Sequence, residues 1–172
     1  MRTNNFFKLV IAMSVSEGAG VIGSFFTASA VQSDWYLELA KPYLNPPAWV
    51  FGPVWTTLFA LMGIAAFLIW LKYDKLTPSE VEELVIQRKK KIKIALGIFL
   101  GQLVLNIIWS IIFFGLHSPG GAFIEIVFLW LAILATIIAF AKISKPAAWL
   151  LVPYILWVSF ASYLNFAIWS LN

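Results

Sequence analysis

The sequence predicts an all-α integral membrane protein, a bundle of five transmembrane helices. Of its 172 residues, 62% are hydrophobic and 12% are charged, whereas a soluble domain carries roughly 25% charged residues. Such a chain cannot cover its surface with polar side chains. Five apolar runs are each long enough to cross a ~30 Å hydrocarbon core at about 1.5 Å of rise per residue. Within a single membrane domain, residues 1–172, they lie at about residues 9–31, 48–71, 94–116, 122–141 and 147–171.

The first apolar run follows a polar head with two basic residues. Such a head, together with the small-residue pattern at residues 28–30, also fits a cleaved signal peptide. However, the run is longer than the roughly 7–15 residues of a signal core and carries Glu17 in its middle. We therefore interpret it as a retained span. An acid at this depth is costly, so Glu17 should face protein or water.

Loop 1, residues 32–47, leads into the second span and is rich in proline. Pro42, Pro46 and Pro47 fix φ and lack a backbone N–H, so they should hold the loop extended. The loop then presents Trp49 and Phe51 at the start of the span.

The segment 72–93 is the most polar part of the chain and is predicted to be a basic helical loop. Thr77-Pro78-Ser79-Glu80 is a capping-box pattern that predicts a helix start. Its basic residues fit a nucleic-acid or lipid site, but they fit a topology signal better. With five spans and a cytoplasmic N-terminus, all of the 12 Lys and Arg residues except Lys41 fall on the inside. The positive-inside rule therefore favours a cytoplasmic N-terminus and an external C-terminus, in what we expect to be a prokaryotic plasma membrane, with no role in nucleic-acid binding.

Small residues recur at four-residue spacing in two spans, where they allow helices to approach closely. Ala19 and Gly23 in the first span predict tight packing inside the bundle. Gly97 and Gly101 in the third span form a weak G-x-x-x-G motif that could seat a neighbouring helix or a second copy of the chain.

The third span carries a polar ladder. Gln102, Asn106 and Ser110 follow each other at four-residue spacing and so share one helix face, which should not point at lipid. Two interpretations remain open: contacts that hold helices together, or the polar wall of an internal cavity.

Aromatic residues mark two further helix faces. Trp157 and Ala161 in the fifth span place a large flat ring beside a small residue, and Trp55 and Phe59 form a similar face in the second span. The tryptophans near span ends fit an interfacial aromatic belt. Trp55 and Trp157 lie deeper and are the better candidates for ligand contacts. Glu125, early in the fourth span, is expected to extend outward to the membrane surface.

A set of aromatic, proline and glycine residues recurs in loop 1, the second span and the fifth span. Its members are Trp35-Tyr36, Lys41-Pro42, Asn45-Pro46-Pro47, Trp49, Phe51-Gly52-Pro53-Val54-Trp55, Leu58, Met62-Gly63, Ala148-Trp149-Leu150, Pro153-Tyr154, Trp157 and Phe160-Ala161. This pattern resembles the TspO/MBR family, the tryptophan-rich sensory proteins also called translocator proteins or peripheral benzodiazepine receptors. The resemblance covers nearly the whole chain.

The resemblance implies a five-helix bundle with a pocket that opens toward loop 1. In the family this pocket binds porphyrins such as protoporphyrin IX and haem, sterols in animal members, and synthetic benzodiazepine-type ligands. Family members often form homodimers, and Gly97 and Gly101 could provide that contact. Carried over by position, the ligand-binding residues would be Tyr36, Pro46, Phe51, Trp55, Phe59, Asn106, Trp109, Ser110, Trp157 and Ala161.

The sterol pattern of animal members is not met in this chain. That pattern places a tyrosine and then an arginine at the end of the fifth span, where this sequence has Phe166 and Ser170. No Lys or Arg follows Tyr163, so even the loose sterol motif is unmet. The sequence therefore argues against sterol binding.

Three functional hypotheses follow. The first is a tetrapyrrole-binding receptor or transporter with a sensory role, in which an aromatic slot stacks on a flat ligand. The second is an enzyme that degrades protoporphyrin IX in light and oxygen, for which the resemblance implicates Trp55 and Trp157; no acid–base dyad or nucleophile–base pair is visible in the sequence. The third is a structural or partner-binding membrane protein.

No required cofactor or protein-built metal site is expected. The chain has no cysteine and one histidine, which makes a zinc site implausible. The histidine, His117, follows the third span beside a Pro-Gly turn, where a solvated loop residue is a better interpretation than a haem ligand.

Overall fold

The computed structural model describes residues 4–74 and 82–172, and it is an all-α bundle. Five segments are long and apolar enough to cross a membrane, which confirms the predicted fold class. The helices of the described chain are α1 (Asn5–Ala30), α2 (Asp34–Glu38), α3 (Ala48–Asp74), α4 (Glu82–Ser110), α5 (Pro119–Ala141), α6 (Lys145–Trp149) and α7 (Val152–Leu171), with a π-helical segment, Ile111–Gly115, that continues α4.

Loop 1 contains a short helix that the proline pattern did not predict. α2 begins after Ser33, whose hydroxyl accepts a hydrogen bond from the Tyr36 N–H at 3.4 Å. Ser33 followed by Asp34 is a typical helix N-terminus, because the side-chain oxygens of these two residues interact favourably with the free N–H groups of the first turn. Tyr36 is thereby turned inward and is 7% exposed.

The fifth span is interrupted, whereas the sequence predicted one continuous helix. α6 ends at Trp149 and α7 begins at Val152. Pro153 has no N–H to donate to the carbonyl of Trp149, and its ring would clash with that carbonyl in a continuous helix. The two pieces together still cover 27 residues, Lys145–Leu171.

α4 extends well beyond the membrane. With its π-helical continuation it runs for 34 residues, Glu82–Gly115, or about 50 Å, against a hydrocarbon core of ~30 Å. The basic residues 88–93 therefore lie on the first turns of a continuous helix outside the core. The capping box predicted at Thr77–Glu80 lies outside the described residues.

α1 and α3 pack closely, and α5 packs against α4 and α7. Ser16 of α1 donates a 2.7 Å hydrogen bond to the backbone carbonyl of Phe59 in α3. At Gly63, a Cβ atom would lie 3.0 Å from the Met13 Cα, so only glycine permits this approach. Ala19 and Gly23 are buried, as their spacing predicted.

Gly97 and Gly101 lie on the outside of the bundle. Both are exposed, and a Cβ atom built at either position would meet nothing within 4 Å. Neither glycine is therefore needed for packing within one chain, and their predicted role in a homodimer stays a prediction.

Candidate functional site

A cavity of about 260 Å³ lies between α1, α3, α4 and α7, at the end of the bundle next to loop 1. Its lining is mostly aromatic. The rings that form its walls belong to Phe51, Trp55, Phe59, Trp109, Phe114 and Trp157.

The side chain of Trp55 sets the arrangement of the aromatic wall. Its ring centroid lies 5.6 Å from that of Phe59 and 6.2 Å from that of Tyr154. The rings of Phe51 and Trp157, which also line the cavity, meet edge-on at 6.1 Å. These spacings are those that aromatic pairs prefer, so the rings fix one another's positions.

Glycines of α1 form the side of the cavity opposite this wall. A Cβ atom at Gly20 would lie 2.5 Å from the Phe59 ring, and one at Gly23 would lie 3.2 Å from the Ser110 hydroxyl. Because Gly20 and Gly23 have no side chains, Phe59 and Ser110 can pack directly against the backbone of α1. Glu17, one turn earlier on the same helix, also lines the cavity, which fulfils the expectation that it faces protein or water.

The polar ladder of α4 serves both purposes that the sequence left open. Gln102 is 1% exposed and its amide contacts the Met62 sulfur at 3.7 Å, so it acts between helices. Asn106 and Ser110 line the cavity. Asn106 also donates a 3.1 Å hydrogen bond to the hydroxyl of Tyr154, which holds its amide in place.

Trp157 contributes a donor without an acceptor. Its indole Nε1 is buried and has no hydrogen-bond partner among the described residues. A buried donor of this kind costs free energy unless something accepts from it. The cavity that Trp157 lines is the place from which a ligand could do so.

A smaller cavity of about 40 Å³ adjoins the first beneath loop 1. Tyr36 and Asn45 line it from the loop, and Phe51, Trp109, Phe114 and Ala161 line both cavities. Of the ten site residues predicted from the sequence, all except Pro46 line one cavity or both. Pro46 is half-buried and accepts a 3.2 Å hydrogen bond from the Asn45 amide through its carbonyl.

The sequence of this chain matches a known family along nearly its whole length. The sequence model of the TspO/MBR family covers residues 11–170. The chain belongs to the TspO/MBR family. It is 42% identical over 168 residues to the tryptophan-rich protein TspO of Chlorobaculum tepidum, with 95% of each chain covered. It is 40% identical to the tryptophan-rich protein TspO of Archaeoglobus fulgidus, covering 98% of this chain and 99% of that one. The translocator protein of Homo sapiens is 38% identical over 138 residues, which cover 80% of this chain and 75% of that one.

In this TspO/MBR family member, the π-helical segment supplies aromatic residues that the sequence analysis missed. A π turn bonds residue i to i+5 and changes the angular phase of the helix. The adjacent rings of Phe113 and Phe114 in this segment are both buried, at 3% and 9% exposure. Phe114 follows Ser110 at the same four-residue spacing as Gln102, Asn106 and Ser110, which is the signal that could have placed it in the cavity.

In the TspO/MBR protein, Lys41 holds loop 1 together from within, and Trp35 joins the loop to the bundle. The Lys41 ammonium lies 4.4 Å from the centre of the Tyr36 ring and donates to the carbonyls of Tyr36 and Leu37. Burial raises the pKa of the Tyr36 hydroxyl and lowers the pKa of Lys41. Trp35 stacks on His117, which is exposed, as expected of a loop histidine.

Glu125 corrects one sequence expectation. It was predicted to extend outward, but it lies on the inner face of α5 and is 8% exposed. Its spacing from Ala122 and Leu129, both buried, is the helical signal that could have placed it inside. Among the described residues, no three His, Asp or Glu residues come together as a metal site.

Proposed function

We propose that this TspO/MBR protein is a membrane receptor or transporter that binds tetrapyrroles such as protoporphyrin IX and haem in the tryptophan-lined cavity, with a sensory or regulatory role. The observation that carries the proposal is that Trp55 and Trp157 both line one internal cavity, whose walls are mostly aromatic. Flat aromatic walls favour a flat aromatic ligand through stacking. Asn106, Ser110 and the free Trp157 N–H supply the few polar contacts that orient a ligand.

The size of the cavity bears on how such a ligand enters. At about 260 Å³ it lies just below the roughly 300–1,000 Å³ of typical small-molecule sites. The smaller cavity beneath loop 1 shares four lining residues with it. A tetrapyrrole would therefore extend through both cavities, with loop 1 displaced toward the surface.

The names of two relatives support a role in sensing or translocation. A relative from Cereibacter sphaeroides that is 34% identical over 139 residues is named a tryptophan-rich sensory protein, and the human one is named a translocator protein. We extend sensing or translocation to this chain on that basis. Benzodiazepine-type synthetic ligands would use the same aromatic walls, whereas the lack of a basic residue after Tyr163 argues against sterols.

The membrane orientation is part of the proposal. The N-terminus would be cytoplasmic and the C-terminus external, in a prokaryotic plasma membrane. The end of the bundle opposite loop 1 carries the basic residues of α4, and the Lys89 ammonium lies 5.6 Å from the Tyr73 ring of α3. Because Tyr73 directly follows Lys72 in α3, this contact supports a position of both bases at the same end of the bundle, which is the arrangement that the positive-inside rule favours.

Titration with protoporphyrin IX in detergent tests the proposal, with quenching of tryptophan fluorescence as the readout. The test variant is Trp55→Phe/Trp157→Phe. The control is Trp49→Phe/Trp149→Phe, which removes two tryptophans that line neither cavity and are 74% and 71% exposed. We expect saturable binding in the wild type and in the control, and weakened binding in the test variant. Absence of saturable binding in the wild type would refute the proposal.

Illumination of the same samples in air tests the alternative function. If the porphyrin is converted to a new absorbing species by the wild type and the control but not by the Trp55/Trp157 variant, the protein is a light-dependent porphyrin-degrading enzyme. If the porphyrin spectrum stays unchanged under illumination, the result favours the receptor or transporter function.

A further inference from the structure

Glu125 is a carboxyl group buried in the membrane-spanning part of the bundle, and no partner for it is found among residues 4–74 and 82–172. It is 8% exposed. Both of its oxygens are fully buried and have no hydrogen-bond partner among the described residues. A polar group in this state is rare in native structures and calls for a specific explanation.

Two hydrogen bonds between α5 and α7 show that Glu125 lies at the level of the ligand cavity. The Asn165 amide of α7 donates to the carbonyl of Pro119 in α5 at 2.7 Å, and the Trp130 indole of α5 donates to the Ser159 hydroxyl of α7 at 2.8 Å. Glu125 lies between these two contacts along α5, so it is level with the turn of α7 around Ala161. Ala161 is part of the cavity wall.

No cation among the described residues is placed to neutralise Glu125. The elements packed against α5 are α4, the π-helical segment, α6 and α7. The charged residues of α4 lie between 82 and 93, several turns away along that helix, and Lys145 of α6 lies at the same distant end. The π-helical segment has no titratable residue, and α7 has only Tyr154 and Tyr163. Tyr163 is 48% exposed, whereas Tyr154 is 1% exposed and lies close enough for a charge on Glu125 to act on its hydroxyl.

An isolated carboxylate at this depth is far costlier than the neutral acid. The neutral acid also carries a proton that it can donate. The Tyr154 oxygen accepts one hydrogen bond, from Asn106, and a hydroxyl oxygen can accept two. Asn106, which lines the cavity, has a second N–H and a carbonyl oxygen with which it can bind a ligand.

We propose that Glu125 is a proton-binding site in the membrane interior, linked through Tyr154 and Asn106 to the polar edge of the ligand in the cavity. The neutral acid donates toward Tyr154 through a water molecule and places no charge near Asn106. When Glu125 gives up its proton to a base in solvent, Tyr154 turns its O–H toward the carboxylate through the same water, and a negative charge then lies on the far side of Asn106 from the cavity. An anionic ligand edge, such as the carboxylates of a porphyrin, is therefore bound more tightly when Glu125 holds its proton.

The proton site can be tested without any ligand. Infrared spectra of the protein in detergent are recorded as the pH is raised from neutral, for the wild type, Glu125→Gln and Glu17→Gln. We expect the wild type to show a carboxylic-acid C=O band at neutral pH. The band should be absent in Glu125→Gln and present in Glu17→Gln. In a further variant, Glu125→Asp, it should be present at a shifted frequency. The aspartate variant retains the acid if the glutamine variant does not fold. Identical spectra for the wild type and both Glu125 variants would overturn the proposal.

The linkage rests on the proposed tetrapyrrole binding and has a separate readout. Affinity for protoporphyrin IX is measured across the same pH range for the wild type and Glu125→Gln. We expect the wild-type affinity to fall by about fivefold or more over the pH range in which the C=O band disappears, and that of Glu125→Gln to stay level. Equal pH dependence in both proteins would overturn the linkage. Lack of saturable binding at any pH would refute the proposed function, while the infrared spectra would still decide the proton site.

Discussion

The indole of Trp35 stacks on the imidazole of His117 with ring centroids 4.1 Å apart and planes 14° from parallel. This contact joins loop 1 to the turn between the π-helical segment and α5. His117 has a φ of 50°, a left-handed conformation that few residues other than glycine and asparagine tolerate. The turn therefore holds the imidazole in a fixed position against which the loop rests.

Removal of this stack should loosen loop 1. We expect Trp35→Ala and His117→Asn to speed amide hydrogen exchange across α2, because the loop loses an aromatic contact worth about 0.5–1.5 kcal/mol. Asparagine keeps the left-handed turn, so any effect of His117→Asn on exchange comes from the loss of the imidazole ring. Trp149→Ala, which removes an exposed indole far from loop 1, is the control. Unchanged exchange in α2 for both test variants would mean that other contacts, such as that of Tyr36 with Phe114, hold the loop without this stack.

Tyr154 supports the cavity wall by accepting from Asn106. Tyr154→Phe removes the acceptor and leaves the buried Asn106 amide short of a partner, so the free energy of unfolding should fall by about 0.5–2 kcal/mol. Thermal unfolding in detergent measures this loss. Tyr163→Phe, at a residue that is 48% exposed, makes the same chemical change and should leave the unfolding temperature nearly unchanged. Equal effects in the two variants would contradict the assigned role of the hydrogen bond.

Gly63 sets the distance between α1 and α3. In Gly63→Ala the new methyl group would lie 2.8 Å from the Met13 sulfur and 3.0 Å from the Met13 Cα. Because a backbone atom cannot move aside, the two helices must separate, and we expect destabilisation of about 1–3 kcal/mol. At Gly18 a methyl group would meet nothing within 4 Å, and Gly18→Ala should be neutral or slightly stabilising. The unfolding midpoints of the two variants decide the matter, and similar midpoints would refute the close approach.

The sequence predicted the spans and most of the cavity because both depend on local patterns. An uncharged run of about 20 residues has few alternatives to a transmembrane helix, and a four-residue spacing fixes which side chains share a face. Trp55 and Phe59 follow that rule, as do Asn106 and Ser110. The resemblance to the family added Tyr36 and Trp109, which the helical spacing alone did not select.

The features that the sequence analysis missed have different physical origins. Phe114 lines the cavity four residues after Ser110, so it continues a ladder that the analysis ended at Ser110. The fifth span breaks because Pro153 leaves the carbonyl of Trp149 without its donor. Glu125 lies inside because its face of α5 packs against α4 and α7, although an acid near a span end ordinarily favours water.

The absence of cysteine makes the orientation of the chain directly measurable. The proposed topology places Tyr43, which is fully exposed, outside the cell, and Lys90 inside. A membrane-impermeant maleimide should therefore label Tyr43→Cys in intact cells, and Lys90→Cys only after the membrane is permeabilised. Because the sequence has no native cysteine, every label reports the introduced site. The reverse pattern would invert the bundle and place loop 1 in the cytoplasm.

The outer face of α4 around Gly101 is the predicted contact of a homodimer. Gly97 and Gly101 meet no neighbouring atom within their own chain, and the flanking Leu100 and Val104 are 49% and 54% exposed. If a second copy packs there, the two Gly101 backbones approach closely. Gly101→Cys should then form a disulfide-linked dimer in the membrane on mild oxidation.

A matched cysteine on another lipid-facing helix separates this contact from chance collision. Phe128→Cys places a thiol on the outer face of α5, at a position that is 60% exposed, and should remain monomeric under the same oxidation. Gly97→Ile should abolish the Gly101→Cys cross-link by adding bulk to the predicted interface, without lowering the unfolding temperature of the monomer, since a side chain at residue 97 starts into open space. Cross-linking of equal yield at positions 101 and 128 would show that the glycines do not define an interface, and that any dimer is held by another face of the bundle.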